Sequence, residues 1–470
     1  MWIHWHRRDL RASDNTALAR AAGDGAVLPA FVFDRAVLEH GSPPRVRFML
    51  DALASLREDY RELGGGLALR QGDPAELLVE VAERHDAEGV VWNRDYSGLG
   101  RERERAVIDA CEAAGLATER YHDDLHHEPG SITTNAGDPY SVYSYFWKKW
   151  RDREKEAPRP TPQGDALVAP EEPGALPTLA ELGFDEPEPT VPEASTAAAR
   201  ERLEAFCEDR VFDYEQRREY PAEDGTSRLS PHLKWGTVGV RTVHEATEAA
   251  MARADTETER ESVEAFQGEL AWREFYTHVL WFNPEVVTEN YREYEHDIQW
   301  RDDPEELEAW RQGETGYPIV DAGMRQLRQE AWMHNRVRMI VASFLTKDLL
   351  ADWRHGYDHF REFLVDHNTA NDNGGWQWAA STGTDAQPYF RIFNPMTQGE
   401  RYDPDGEYVR EYVPELEDAS AEQIHSWHEL SISDRRRVAP EYPDPIVDHS
   451  ERRERALAMF RRARGEEDED

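Results

Sequence analysis

The sequence is poor in cysteine, in lysine and in long apolar runs, and each shortage excludes a class of protein. Cys111 and Cys207 are the two cysteines of the 470-residue chain, too few for a disulfide framework or a cysteine-based zinc site. No apolar run approaches the roughly 20 residues of a membrane span, and residues 1–10 (MWIHWHRRDL) lack the apolar core of a signal peptide. We therefore expect a cytoplasmic protein with neither a membrane segment nor a metal site.

The scarcity of lysine is matched by an excess of acidic residues. Only five of the 55 basic residues are lysines, and 95 acidic residues bring the formal net charge to −40. Such a charge argues against nucleic-acid binding, which usually needs a basic face. It also suits solubility in molar salt, where the Debye length is about 3 Å and surface charges act only over short distances. We interpret the charge as that of a halophilic protein and look for function in local motifs.

Short apolar runs alternate with helical patterns over residues 1–130. We predict strands at 2–5, 27–33, 67–71, 90–92 and 117–121, and helices at 44–63, 74–85 and 98–114. This alternation is typical of a parallel sheet flanked by helices, so we expect a Rossmann-like α/β domain. Because the stretch lacks a GxGxxG motif, we expect no conventional dinucleotide site in it.

A change of composition marks a second domain. Residues 131–195 are expected to form a linker, because nine of the 27 prolines lie between Pro158 and Pro192 among Glu, Gly and Ala. Residues 196–470 then show helical patterns without convincing strands, which predicts an all-α domain. Its clearest helices are expected at 262–280, 321–329, 336–352 and 450–463. The acidic end, residues 466–470, is expected to be a solvated tail.

Two motifs of the helical half suggest ligand contacts. Residues 225–231 (GTSRLSP) open a helix with hydroxyls, backbone N–H groups and an arginine, which suits an anion. A plain Ser/Thr N-cap is the simpler interpretation of this segment alone. Glu269, Trp272 and Arg273 share one helix face and suit a flat polar ligand, although an ion pair beside a core tryptophan is an equal alternative.

Two later motifs have the same mixed character. Asn335 and Met339 lie four residues apart on one helix face, with Arg338 nearby. In residues 366–378 (DHNTANDNGGWQW), Trp376 and Trp378 would point about 200° apart on a helix, toward two different environments. Filling a core is the commoner role of such tryptophans.

Taken together, these motifs closely resemble those of the photolyase/cryptochrome flavoproteins, and their details are similar to class I cyclobutane pyrimidine dimer photolyases. The similar segments are residues 8–15, 214–218, 226–230, 269–276, 315–322, 332–339 and 373–384. The resemblance covers essentially the whole chain. It implies an α/β antenna domain joined to an all-α FAD-binding domain, in agreement with the organisation deduced above.

The resemblance implies light-driven repair of UV-damaged DNA, with a monomer expected. An electron from excited FADH⁻ would split the cyclobutane ring of a pyrimidine dimer that is flipped out of the duplex. The implied FAD-binding residues are Tyr214, Thr226, Ser227, Arg228, Leu229, Ser230, Phe266, Arg273, Arg338, Asp366, His367 and Asn368. Among them, Arg338 and Asp366 are expected to form a buried ion pair.

The same resemblance assigns the remaining roles. Glu269, Asn335, Met339 and Asp372 would be catalytic. Substrate and DNA contacts are implied at Arg218, Glu269, Trp272, Arg273, Asn335, Arg336, Trp378 and Arg391. Trp376, Trp353 and Trp300 match the electron-transfer chain of the family.

Two positions depart from the family pattern, and the antenna residues are less specific. Asp372 stands where bacterial photolyases usually carry Asn and plant cryptochromes carry Asp, and we expect burial to raise its pKa. Asn368 replaces a family Asp near the ribose or adenine. Arg45, Asp95 and Lys234 would contact an antenna similar to 8-hydroxy-5-deazaflavin (coenzyme F420 type), with methenyltetrahydrofolate as the alternative, although each is equally open to a plain surface-charge role.

Two other functions compete with repair. A cryptochrome-like blue-light photoreceptor without repair activity has Asp372 as its only support, against the combined set of predicted substrate residues. A flavin electron-transfer protein unrelated to DNA would account for the tryptophan chain but not for the arginines near the pocket.

Overall fold

The computed structural model describes residues 1–466, and the N-terminal part of the chain forms a five-stranded parallel sheet. The strands are β1 (Trp2–His6), β2 (Val27–Phe33), β3 (Ala68–Gln71), β4 (Gly89–Asn93) and β5 (Ala117–Tyr121). Their spatial order is β3-β2-β1-β4-β5. The predicted α/β domain is confirmed, with β2 and β5 at their predicted bounds. Of the predicted acidic tail, residues 467–470 lie outside the described residues.

Five helices cover the two faces of this sheet. They are α1 (Thr16–Asp24), α2 (Arg35–Leu38), α3 (Pro43–Glu62), α4 (Pro74–Arg84) and α5 (Gly98–Ala114). Alternate residues of β2 belong to two separate apolar clusters: Phe31 packs with residues of α1 and α3, whereas Val32 packs with residues of α4 and α5. Burial on both faces explains why β2 is a continuous apolar run.

The segment predicted as a linker is attached to both domains along much of its length. Helix α6 (Tyr143–Asp152) packs on the helical domain, and its Trp150 is fully buried. The proline-rich part runs along the sheet, where Leu167 bridges to Val27 and the N–H of Leu69 donates to the carbonyl of Pro173 at 2.7 Å. The proline-rich composition gives an extended path, but contacts with the sheet hold that path in place.

The rest of the chain is helical, as predicted. The helices are α7 (Thr196–Glu208), α8 (Tyr214–Arg217), α9 (Ser230–Trp235), α10 (Val240–Met251), α11 (Glu257–Phe282), α12 (Pro304–Gln312), α13 (Pro318–Glu330), α14 (Asn335–Ser343), α15 (Trp353–Phe363), α16 (Thr369–Ala380), α17 (Pro395–Tyr402), α18 (Glu407–Tyr412), α19 (Ala421–His425), α20 (Ile432–Val438) and α21 (His449–Ala463). None of the helices in the described part of the chain combines the length and apolar character of a membrane span.

Two predicted helices differ most from their bounds in the structure. Helix α11 begins five residues before the predicted start, because Thr256 and Glu259 form a capping box that the apolar periodicity does not reveal. The predicted helix 336–352 is too long. It changes to a π-helical turn at Phe344–Asp348 and ends before Leu350, whose φ of +58° is incompatible with a continuing right-handed helix.

A buried group of charged residues joins the two domains. Arg11, Asp14 and Asp123 of the α/β domain meet Arg241 of α10, and we call these four residues the interdomain network. Arg241 Nε donates to Asp14 Oδ1 at 2.7 Å, and both Arg241 and Arg11 pair with the carboxylate of Asp123. Because these ion pairs cross the boundary, they fix the position of the helical domain relative to the sheet.

Candidate functional site

A largely buried group of charged side chains lies where α14, the α15–α16 connection and α16 meet. It consists of Arg338, Asp366, His367 and Asp372, and we call it the Arg338 cluster. Arg338 Nη2 donates to Asp366 Oδ2 at 2.8 Å, so the expected ion pair is present. Arg338 Nη1 lies 4.0 Å from Asp372 Oδ1, and His367 Nδ1 lies 2.6 Å from Asp372 Oδ2. Two carboxylates therefore share one guanidinium and one imidazole.

Burial acts to raise the pKa of Asp372, as expected, but the net shift of its pKa is downward. His367, Arg338 and the backbone N–H of Asn368 stabilise the carboxylate more strongly than burial destabilises it, and its pKa falls below the ordinary value. Asp372 is therefore ionised at neutral pH, and it accepts hydrogen bonds instead of donating a proton.

Asn368 begins α16 as its N-cap. Its Oδ1 accepts hydrogen bonds from the backbone N–H groups of Ala370 and Asn371 at 3.1 and 3.2 Å. This use of the carbonyl oxygen leaves only the amide nitrogen of the side chain for a ligand.

Buried polar atoms without a partner lie in and beside the Arg338 cluster. Among residues 1–466, Asp366 Oδ1, Asn371 Oδ1 and Trp376 Nε1 have no hydrogen-bond partner. An unpaired buried polar group costs about 1–3 kcal/mol. Such atoms occur at other places in residues 1–466 as well, but here they lie beside a guanidinium and two carboxylates, so a ligand could pair with them. Acceptors, a donor and a guanidinium together fit the polar edge of a flavin ring.

The predicted anion-binding segment has a backbone that is open to a ligand. Within the described part of the chain, the N–H groups of Thr226, Ser227 and Arg228 donate to no protein acceptor. Arg228 adopts a φ of +48°, and its guanidinium lies over the Trp332 ring at 4.4 Å. The Nε1 of the same Trp332 donates to Ser230 Oγ at 3.2 Å. This arrangement can offer N–H donors to a pyrophosphate.

Apolar residues predicted to line the cofactor form part of one core. The rings of Tyr214 and Phe266 meet edge to face at 5.2 Å between centroids, and the Leu229 side chain is buried in the same cluster. Any contact of Leu229 with a ligand would therefore come from its backbone.

Glu269 and Arg273 make contacts in different parts of the molecule, although they share a helix face. Arg273 pairs with Asp124 of the α/β domain, and its Nη1 donates to the Asp124 carbonyl at 2.6 Å. Glu269 instead accepts from Arg218 Nη1 at 2.7 Å. The prediction that Arg273 contacts the flat ligand together with Glu269 and Trp272 is not supported, because an acceptor in the α/β domain holds its guanidinium at the domain interface.

The pKa of Glu269 is raised, and burial is the largest cause. Arg218 opposes this effect, whereas the neighbouring Glu219 adds to it. The burial is partial, since 39% of the Glu269 side chain is exposed. Glu219 also pairs with Arg336, which lies over the Tyr402 ring at 4.4 Å. Sequence reasoning missed Glu219, although its place directly after Arg218 is the kind of signal that could have indicated it.

Trp272 is held by a second aromatic residue that sequence reasoning missed. The Tyr143 ring of α6 stacks on Trp272 with centroids 3.6 Å apart and planes 7° apart, and Tyr143 Oη donates to the Gly268 carbonyl at 2.7 Å. The backbone N–H of Tyr143 donates to the Asp385 carboxylate at 3.1 Å. Tyr143 thus covers one face of Trp272, and the rings of Phe275 and Tyr276 also contact this indole at 5.6 and 5.5 Å.

The other predicted substrate residues occupy nearby helices and a loop. On α14, Asn335 Nδ2 lies 3.9 Å from Met339 Sδ. Trp378 is partly buried against Phe393 at 6.5 Å, and Arg391 is exposed.

The three tryptophans of the predicted electron-transfer chain belong to one packed cluster. Trp376 packs on Phe360 at 4.9 Å and fits over Gly356, where an added Cβ would lie 2.0 Å from the indole. Trp353 is the first residue of α15, the helix that contains Gly356 and Phe360. Trp300 is partly buried at the edge of the cluster. Trp376 is 2% exposed while Trp378 is partly exposed, so the two side chains occupy different environments, as their spacing predicts.

The predicted antenna residues lie near the domain interface. Arg45 of α3 donates to the carbonyls of Arg361 and Leu364 in the helical domain. Burial, together with the charges of Arg8 and Arg45, lowers the pKa of Lys234 to about 7, and Asp95 acts in the opposite direction. The charges of Arg45, Asp95 and Lys234 are therefore close enough to influence one another.

Family models match both halves of the chain. Residues 2–163 match the DNA photolyase family, and residues 266–462 match the FAD-binding domain of DNA photolyase. The second match contains the Arg338 cluster and the three tryptophans, so the orphaned polar atoms described above lie in a domain that binds FAD.

Whole-chain relatives agree with the family models. A deoxyribodipyrimidine photo-lyase of Halobacterium salinarum is 64% identical, with 99% of this chain and 100% of the relative covered. A class III photolyase from Agrobacterium tumefaciens has a TM-score of 0.90 at 38% identity, covering 99% of this chain and 98% of its own. An archaeal photolyase from Sulfolobus tokodaii, solved with two FAD molecules, has a TM-score of 0.84 at 30% identity, covering 98% and 99%. The chain therefore belongs to the DNA photolyase family.

Proposed function

We propose that this protein is a deoxyribodipyrimidine photo-lyase, an enzyme that uses light to split cyclobutane pyrimidine dimers in UV-damaged DNA. The observation that carries the proposal is the 64% identity over 99% of the chain to the Halobacterium enzyme of that name. The halophilic composition of the chain fits such a relative, and the site geometry supplies the residues that the reaction needs.

FAD is the cofactor of the proposed reaction, and the bound reduced flavin supplies the electron. The Arg338 cluster would hold the polar edge of the ring system, since Asp366 Oδ1 has no protein partner. The open N–H groups of Thr226, Ser227 and Arg228 would bind the pyrophosphate. Ionised Asp372 would accept a hydrogen bond from the ring, not protonate it.

The substrate pocket would lie between α11, α14 and the end of α16. A dimer is already poorly stacked in the duplex, so flipping it out costs less than flipping a normal base. Trp272 and Trp378 would stack on its rings, each contact contributing about 1–3 kcal/mol. Glu269 would hydrogen-bond the pyrimidine edge, with Asn335 and Met339 completing the wall.

The tryptophan cluster would serve a separate step. Trp376 and Trp353 are buried in one apolar cluster and Trp300 is partly buried at its edge, so the three would form a route from the core of the helical domain toward its surface. We infer that it carries electrons inward to the flavin and that repair by chemically reduced protein does not need it.

We further infer an antenna of the 8-hydroxy-5-deazaflavin type, with methenyltetrahydrofolate as the alternative. Arg45, Asp95 and Lys234, which share the domain interface, are its proposed contacts. Denaturing the purified protein and identifying the released chromophores by absorbance and mass would test this inference. Recovery of a folate or a second FAD would contradict the deazaflavin assignment.

The central experiment illuminates the reduced protein with dimer-containing DNA in high salt and counts the dimers that remain. The wild type should repair them, and Glu269→Ala should lower the yield per photon strongly. Glu264→Ala is the matched control, because Glu264 lies on the same helix but pairs with Arg151 on the surface. Equal repair yields per photon from Glu269→Ala and Glu264→Ala would contradict the proposed role of Glu269.

The same experiment decides the competing function. A fully reduced sample that binds damaged DNA but repairs none would favour a cryptochrome-like photoreceptor. The family position of Asp372 was the support for that alternative.

A further inference from the structure

Four charged side chains form a continuous row at the mouth of the proposed substrate pocket. Glu269, Arg218, Glu219 and Arg336 alternate in sign, and we call them the counter-ion row. Arg218 Nη1 lies 2.7 Å from Glu269 Oε1, and Arg218 Nε lies 3.7 Å from Glu219 Oε1. The other Glu219 oxygen pairs with Arg336 Nη2. Glu219 therefore contacts both Arg218 and Arg336, two of the residues that the family resemblance implies as DNA contacts.

The row is accessible enough to rearrange. The side chains of Arg218, Glu219 and Glu269 are 31%, 29% and 39% exposed. Arg336 is less exposed and stays aligned on the Tyr402 ring. The pairs can thus open toward solvent without disrupting the core, while Tyr402 keeps Arg336 near its place.

The overall charge makes such a row useful for DNA binding. When the cations of a protein neutralise DNA phosphates, the counter-ions of the DNA are released, and this release favours binding. The affinity of the protein for DNA therefore falls steeply as the salt concentration rises. A protein of net charge −40 that lives in concentrated salt gains little from that release. Arginines that carry their own carboxylate partners would bind phosphate by exchange.

We propose that Glu219 and Glu269 are internal counter-ions, which Arg218 and Arg336 exchange for DNA phosphates when DNA binds. This inference rests on the proposed function. The exchange frees Glu269 to reach the pyrimidine edge, whereas the freed Glu219 takes up a cation from solvent. The cation taken up by Glu219 offsets part of the cation release from DNA. The affinity for DNA therefore depends less on salt concentration than the number of phosphate contacts predicts. Glu219 is thus a positioning residue for the two arginines.

The test compares E219Q with the wild type in binding to a dimer-containing duplex over a series of salt concentrations. Without the Glu219 charge, no cation is taken up on exchange, and the plot of log affinity against log salt should be steeper by about one. E219Q should also bind several-fold more tightly at the lowest salt that keeps the protein folded.

Two variants control for charge and shape. E223Q removes the same charge four residues away, from an exposed carboxylate that pairs with Arg217, and its slope should equal that of the wild type. E219D keeps the charge with a shorter side chain, and its slope should lie closer to the wild type than to E219Q. A merely structural role of Glu219 would weaken binding at every salt concentration and leave the slope unchanged.

Repair yield measured on the same samples separates the two proposals. A wild type that repairs dimers while E219Q, E223Q and wild type share one slope overturns the counter-ion inference alone. A wild type that binds dimer-containing DNA without repairing it overturns the proposed function, and the E219Q slope then still supports or contradicts the exchange.

Discussion

The interdomain network and the Arg338 cluster are both buried sets of arginines and carboxylates, but only one of them is complete. In the interdomain network, Asp14 accepts from Arg241, Arg159 and Thr242, and Asp123 accepts from Arg11, Arg241 and Thr16. In the Arg338 cluster, Asp366 Oδ1 has no partner among residues 1–466. A satisfied network stabilises a fold, whereas an unsatisfied one indicates the position of a ligand.

The largest expected effect on stability comes from removing an arginine of the interdomain network. Arg241→Met would leave Asp14 without its guanidinium partner and Asp123 with Arg11 alone, although both carboxylates are about 2% exposed. We expect it to lower the free energy of unfolding by about 3–5 kcal/mol. Denaturant unfolding in high salt measures this loss. Arg455→Met, which breaks an exposed pair with Glu451, should change stability little. A small loss for Arg241→Met would show that the network is dispensable.

The next effect concerns ligand binding more than stability. Asp366→Asn removes the charge partner of Arg338 and alters an acceptor that is free for the ligand, so we expect FAD to bind at least about tenfold more weakly, or about 1.4 kcal/mol. The ratio of flavin to protein absorbance after gel filtration checks this. Asp352→Asn is the control, because Asp352 also pairs with an arginine, Arg354, but away from the cluster. Equal flavin retention by the two variants would contradict the distinction between the networks.

The smallest expected effect on stability comes from Asn368, which lies next to the Arg338 cluster and caps α16. Asn368→Ala should lower the free energy of unfolding by about 1 kcal/mol through loss of the α16 cap, while Asn368→Asp keeps the cap and should be as stable as the wild type. Thermal and denaturant unfolding measure both. If Asn368→Asp instead raised flavin affinity markedly, the side chain would belong to the ligand site more than to the helix.

Much of the architecture could be predicted from the sequence because it depends on local patterns. Strands β2 and β5 and helix α5 have their predicted bounds. Bounds set by polar contacts were missed, as at the capping box of α11 and at the π-helical turn after α14. Proline content indicated an extended segment at 158–192, but the sequence contains no local signal for its pairing with the sheet.

The site shows the same limit at the level of single residues. The Arg338–Asp366 pair followed from the family resemblance, and the geometry agrees. The net direction of the Asp372 pKa shift could not be predicted, because burial can be judged from a motif, but the charges around it depend on how α14 and α16 pack. The partner of Arg273 could not be predicted for a similar reason, since Asp124 is 149 residues away in another domain.

The stacking of Tyr143 on Trp272 bears on how this architecture can be recombined. A wall of the proposed substrate pocket is encoded before the helical domain begins, in a segment that also binds Asp385 through its backbone. Chimaeras that exchange the α/β halves of two relatives should therefore keep residues 131–155 with their own helical half. A junction after residue 155 would pair α6 of one parent with α11 of the other. The two domains can therefore be exchanged as intact units only when the junction lies before α6.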